Sequence, residues 1–216
     1  MDIHDLEKLI KERRSIRRWT KKEVPDDLIR RAVELGTWAP NGGNYQGWRF
    51  IAVKNLEVKN KLADAVQHIT DRVASWPEAE TWREDIDRYR NRVSFFREAS
   101  VVLAVLVSQY RSITDKVLLA RESVDREAQE VMAFRRSAPT SVQSAAAAVT
   151  TMLLVLQQMG LGAIWLGAPL MAKKEIERIL NTPAGMDLIC LVAVGYADES
   201  PQRTRKPVEE VLEFVR

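Results

Sequence analysis

The stretch Ala39-Pro40-Asn41-Gly42-Gly43-Asn44-Tyr45-Gln46-Gly47-Trp48-Arg49-Phe50 is where this chain changes its hydrophobic period. Upstream, Leu28, Ile29, Ala32, Val33 and Leu35 recur at helical spacing behind Pro25-Asp26-Asp27. That start suits a helix, because proline is tolerated in the first turn and carboxylates complement the dipole. Gly36 and Pro40 end it. Asn41 to Asn44 is a turn by composition, and Trp48 to Val53 alternates as a strand. Gly42 and Gly43 permit positive φ or close approach of a ligand to the backbone. Asn44 and Gln46 could offer amide groups to the edge of a heterocycle. Turn and binding loop are compatible readings of this segment.

Working outward, Leu6, Leu9 and Ile10 form an apolar stripe on a short first helix that ends in Arg13 to Arg18. Residues 55–98 carry helical periodicity broken at Trp76-Pro77, where proline forbids smooth continuation. Val101 to Val107 is a β-branched run fit for a strand covered on both faces. Ile113 to Phe134 is highly charged but helical in pattern, and Ser141 to Met159 reads as a long alanine-rich helix ending at Gly160. A short strand, Gly162 to Leu166, a helix, Lys173 to Leu180, and a last buried strand, Leu188 to Gly195, complete the order. Strands do not alternate with helices in a βαβ rhythm. The expectation is therefore an α+β fold, a central mixed or antiparallel sheet flanked by helices. No Gly-x-Gly-x-x-Gly follows a strand, so the dinucleotide-binding Rossmann signature is missing. Without internal repeats or low-complexity linkers, residues 1–216 are expected to form a single domain.

Hydrophobic content of 46% with 29% charged residues is ordinary globular composition. Thirty-three basic residues face thirty acidic ones, a formal charge of +3, which argues against a bulk polyanion-binding protein. One cysteine, Cys190, cannot form an internal disulfide and, in its apolar strand, behaves as a small hydrophobe. A reducing cytoplasm is the expected setting. Residues 1–18 lack the apolar core of a signal peptide, and Ala145 to Met171 is interrupted by polar residues and glycines. Neither a membrane nor a nucleic acid is expected as partner, and no metal site is expected.

Against that balance, two basic patches stand out: Arg13-Arg14-Ser15-Ile16-Arg17-Arg18 and Arg203-Thr204-Arg205-Lys206-Pro207. Guanidinium forks bind phosphate oxygens bidentately and stay charged at physiological pH, so a shared phosphate is one reason to place them at both ends. Solvated helix ends are the bland alternative.

The order Arg13-Arg14-Ser15-Ile16-Arg17-Arg18-Trp19, Ala39 to Phe50, Gly160-Leu161-Gly162 with its strand to Gly167, and Gly195-Tyr196 followed by Arg203 to Pro207 resembles the nitroreductase family. These motifs span nearly the whole chain. The resemblance implies an FMN-dependent NAD(P)H oxidoreductase, built as an intertwined homodimer with the flavin at the subunit interface. It implies that Arg13, Arg14 and Ser15 bind the phosphate and ribityl chain, joined by Arg203 and Arg205. Arg17 and Asn44 fall at the polar pyrimidine edge, where a fixed cation stabilises the charge of the reduced ring. Leu166 and Gly167 match the segment whose backbone N–H faces flavin N5. Gly47, Trp19 and Asn41 replace the usual proline, phenylalanine and serine, without removing a phosphate ligand.

The implied reaction carries a hydride from NADH or NADPH through N5 to a small oxidised acceptor, such as a nitroaromatic or quinone, by a ping-pong course. No catalytic side chain is required. Specialised alternatives in the same family are a flavin-consuming dimethylbenzimidazole synthase and a reductive dehalogenase. A non-catalytic flavin-binding protein would keep the phosphate arginines without turnover. A nucleic-acid module would need a broader basic surface. His68 reads as an ordinary helix histidine, and Trp76, Trp82, Tyr89 and Phe95 as packing aromatics.

Overall fold

The computed structural model describes residues 2–216. Helices α1 (Ile3–Glu12) and α2 (Asp26–Gly36) precede strand β1 (Trp48–Val53). Then come α3 (Leu56–Ala74), α4 (Arg83–Arg90), β2 (Val101–Ser108), α5 (Ile113–Arg121), α6 (Arg126–Ser137) and α7 (Thr140–Gln158). β3 (Gly162–Leu166), α8 (Lys173–Ile179) and β4 (Met186–Gly195) close the order. The sheet runs β1-β2-β4-β3, and each neighbouring pair is antiparallel. This is the expected α+β arrangement, in its antiparallel form. A parallel element enters through one isolated bridge, Ser15 to Ala163 on the outer edge of β3.

Both faces of the sheet are covered, as the unbroken apolar run of β2 requires. Val101, Leu103, Val105 and Val107 point to one core with Ala32 of α2 and Val149, Met152 and Leu156 of α7. Val102, Ala104 and Leu106 point to the other, with Leu62 and Val66 of α3, Ile176 of α8, and Phe96 from the turn before β2. Gly36 does more than stop α2. A Cβ there would lie 3.1 Å from the Ala148 carbonyl and 3.2 Å from Met152 Cβ, so its hydrogen lets α2 and α7 cross closely.

Three expectations need correction. The charged stretch 113–134 is two helices, because Asp125 caps a new start by accepting from the Ala128 amide at 3.0 Å. The last strand begins at Met186, two residues earlier than its apolar run. The stripe on α1 is covered only in part within one chain: Leu9 is half-buried, whereas Leu6 and Ile10 are exposed, Ile10 at 52%. By length and composition, Arg126–Gln158 passes for a membrane-crossing helix. A buried core helix passes the same test, and α7 packs Ala145, Ala148, Val149 and Met152 inward.

Candidate cofactor site

The N-terminal arginines are held by the rim of the sheet. After α1 the chain turns extended at Arg13, and the Ile16 amide donates to the Ala163 carbonyl at 3.2 Å. Ile16 and Trp19, three residues apart, are buried, and Arg17 and Arg18 between them are left outward. Trp19 donates its indole N–H to the Gly162 carbonyl at 2.9 Å and stacks on Phe95 at 6.1 Å between ring centres. Two glycines make room for this lane. A Cβ on Gly162 would meet Ile16 at 2.8 Å, and one on Gly195 would meet Trp19 at 2.7 Å. Spacing showed these glycines; their purpose is tertiary.

The segment after β4 closes over the same lane. The Thr20 amide donates to Tyr196 at 2.9 Å, and the Asp198 amide to Arg18 at 3.0 Å. Glu199 accepts from the amides of Arg17 and Arg18 and pairs with the Arg18 guanidinium at 3.4 Å. Arg14 donates Nε to the Pro201 carbonyl at 3.1 Å and also bonds Arg13 and Lys11 carbonyls, so its fork is largely spent on backbone. Glu199 and Pro201 were not singled out from the sequence. They lie some 180 residues from their partners, and no local pattern marks them.

Head and tail do meet within one chain. Burial, then Arg205, then Arg14 hold Arg13 below the usual guanidinium range. Arg203 and Arg205 are exposed, donating to the adjacent carbonyls of Gln202 at 3.3 Å and Thr204 at 2.9 Å. Among the described residues, none of Arg13, Arg203 and Arg205 forms an ion pair with a carboxylate. A half-buried guanidinium beside like charges is stabilised by an anion brought against it. Further along β3, Leu166 is buried against β4, and Gly167 is exposed with open space where a Cβ would stand.

The loop Asn41–Gly47 is built differently. The Gln46 amide donates to Asn41 Oδ1 at 3.0 Å, and the Gly42 amide to Ser144 Oγ of α7 at 3.1 Å. Gly43, Asn44 and Gln46 have φ of 59°, 50° and 51°. Left-handed backbone at two non-glycine residues is costly, about 1–2 kcal/mol each, and marks a loop held for a reason. Tyr110 supplies the backing: a Cβ on Gly43 would lie 2.5 Å from its hydroxyl, and its ring sits 5.5 Å from that of Tyr45. Asn44 and Gln46 are exposed, and the Gln46 amide reaches Asn44 Oδ1 at 3.2 Å.

These two half-sites are not together in one chain. The loop rests on Ser144 near the start of α7, whereas a cleft shared by Arg14, Gln157 and Gly160 lies at its end. Along the helix axis that is about 20 Å, at roughly 1.5 Å per residue. The structure thus sets Arg13, Arg14, Ser15 and Arg17 against β3 and the segment after β4, with Arg205 acting electrostatically on Arg13, and leaves Asn44 and Gln46 at the far end. Among the described residues no group of three His, Cys, Asp or Glu side chains is arranged to hold a metal ion.

Over residues 10–196 the sequence matches the nitroreductase family. The chain belongs to that family. An iodotyrosine deiodinase from Thermotoga neapolitana is 27% identical over 213 residues, covering 94% of each chain. The chain spans 59% of the length of an iodotyrosine dehalogenase 1 homolog from Caenorhabditis elegans. Among solved structures, a BluB-like flavoprotein from Clostridium difficile superposes with a TM-score of 0.84 at 24% identity, covering all of both chains. A nitroreductase with bound FMN from Desulfitobacterium hafniense gives a TM-score of 0.72 at 20% identity, again over all of both chains. At those identities the two structures speak for the nitroreductase fold alone.

Proposed function

We propose that the protein is an FMN-dependent oxidoreductase that uses NADH or NADPH to reduce a small oxidised acceptor such as a nitroaromatic or a quinone. The observation that carries this reading is Arg13, half-buried beside Arg205 and Arg14 with no carboxylate to match it. A phosphate dianion would turn that repulsion into attraction through charge-assisted hydrogen bonds. In this reading Arg13, Ser15, Arg203 and Arg205 hold the phosphate, and Arg14 chiefly ties the lane to Pro201. Arg17, exposed beside Ser15, supplies a fixed positive charge at the pyrimidine edge. Leu166 and Gly167 present an open backbone edge to N5.

Held by Arg13, Ser15, Arg203 and Arg205, FMN would supply the two-electron hydride chemistry that links nicotinamide to acceptor. In this reading the chain's residues need only bind, orient and exclude water. Asn44 and Gln46 reach the flavin from a second copy of the chain. The 20 Å gap along α7 supports that homodimer, as do apolar side chains left bare in one chain, among them Ile3, Ile10, Phe214 and Val215. The single buried thiol of Cys190 suits a cytoplasmic setting.

The test is the visible spectrum of purified protein before and after anaerobic NADH or NADPH, followed by a nitroaromatic. Bleaching by the nicotinamide and recovery on adding the acceptor are expected. A colourless preparation that takes up no FMN would reject the reading. Reductive dehalogenation is the second reading, favoured by the full-length similarity to the Thermotoga neapolitana deiodinase. There two electrons and a proton replace a carbon–halogen bond with carbon–hydrogen and release halide. Halide release from 3-iodotyrosine by the dithionite-reduced protein, with no turnover of nitroaromatics, would select it.

A further inference from the structure

At the base of the α5–α6 hairpin, where Tyr110 follows β2 and α7 begins, lies a cavity of about 450 Å³ that none of the cofactor residues lines. Its wall carries Arg111, Arg135 and Arg136 with one carboxylate, Asp115. That carboxylate is fully occupied. Arg135 forks onto it at 2.8 and 3.0 Å, and the Ser112 amide and hydroxyl donate to it at 2.8 Å each. Arg136 bonds Glu122, whereas Arg111 bonds only the neutral Gln109 side chain, at 2.9 Å, among the described residues. The wall is left with a net positive charge and one guanidinium without an anion. Thr140 and Ser141 add hydroxyls from the first turn of α7, a turn with no acidic residue and no side-chain cap.

We infer that this cavity binds an oxyanion group of a small substrate, and that its occupant is the 2′-phosphate of NADPH. The assignment of the donor rests on the flavoenzyme reading above. Tyr110 connects the two sites, since its ring backs Gly42 and Gly43 and also lines the cavity. In the proposed dimer the Asn41–Gly47 loop covers the partner's flavin. The loop proposed to meet the partner's flavin and the cavity wall that carries Arg111 therefore share one aromatic side chain. An acidic acceptor is the other source of an oxyanion at this place.

The experiment compares wild type, Arg111→Ala and Arg111→Lys with NADPH and with NADH, using a neutral and a carboxylate-bearing nitroaromatic. Loss of a charge-assisted contact is expected to raise KM for NADPH roughly 10- to 100-fold in Arg111→Ala. KM for NADH, kcat and FMN content should stay unchanged, with partial recovery in Arg111→Lys. A KM rise confined to the carboxylate-bearing acceptor would overturn the NADPH assignment and give the cavity to the acceptor. Unchanged KM values for every substrate would overturn the cavity altogether. Calorimetric titration with adenosine 2′,5′-bisphosphate and with adenosine 5′-monophosphate needs no turnover. Tighter binding of the bisphosphate, lost in Arg111→Ala, supports the site even if the flavin reading fails; equal binding of the two overturns it.

Discussion

At one end of α7, the arginine lane is welded to the sheet: Ile16 and Trp19 are 5% and 6% exposed, and backbone hydrogen bonds join it to Ala163, Tyr196 and Asp198. At the other end, the Asn41–Gly47 loop and the α5–α6 hairpin are held by side chains, chiefly Tyr110, Ser144 and the Asp115–Arg135 pair. Ile113 and Phe134 of that hairpin are each 74% exposed. The contrast teaches a division of labour. In the proposed reading, rigid cations suit a phosphate anchor, and a surface that admits successive substrates can be tied by fewer contacts.

The largest effect should come from removing the anchor. Arg13→Ala with Arg205→Ala is expected to weaken FMN binding by 100-fold or more, since two charge-assisted contacts are worth about 3–6 kcal/mol together. Fluorescence titration measures it, and the flavin-free protein should lose no stability, because a repulsive pair has gone. Unaltered affinity would erase the distinction between the two ends. Next comes Trp19→Ala, expected to cost about 3–5 kcal/mol in urea unfolding by removing a buried, stacked indole under the lane.

At the other end, Asp115→Asn should loosen the hairpin by about 1–3 kcal/mol and speed proteolysis within residues 112–137, with little change in FMN affinity. The Arg135 fork, with Ser112, holds the Asp115 carboxyl well below its usual range. Its stabilisation is therefore complete above the unfolded value of about 3.9 and disappears only as pH falls through the lower folded value. Proteolysis of the hairpin should be flat between pH 8 and 5; a rise centred near pH 6 would show that another group locks it. A comparable cost is expected for Gly43→Ala, about 1–2 kcal/mol for the φ of 59° together with displacement of the Tyr110 ring that its Cβ would overlap. Turnover should fall there while phosphate anchoring persists. Least of all should respond at Cys190, whose thiol burial pushes up to about 12. Thiol reagents should label it only after unfolding, and a fast native reaction would contradict its place in the sheet.

Much of the candidate site could be read in advance because its parts are local. A positive-φ turn needs Gly43, a strand shows its period in Trp48–Val53, and guanidinium clusters are visible as residue types. Glu199, Pro201, Ser144 and Tyr110 escaped notice, since each acts on a residue far along the chain and none carries a local signature. The break between α5 and α6 could have been read from Asp125, an N-cap residue inside a charged run.

Sequence alone determined the α+β class, the buried β2 strand, the family motifs and the two basic ends, because periodicity and side-chain chemistry are properties of short stretches. Only the tertiary structure decided that Arg13 and Arg205 converge in one chain while Asn44 waits at the far end of α7. Distance in space follows from how α7 and β3 pack, and no spacing along the chain encodes it.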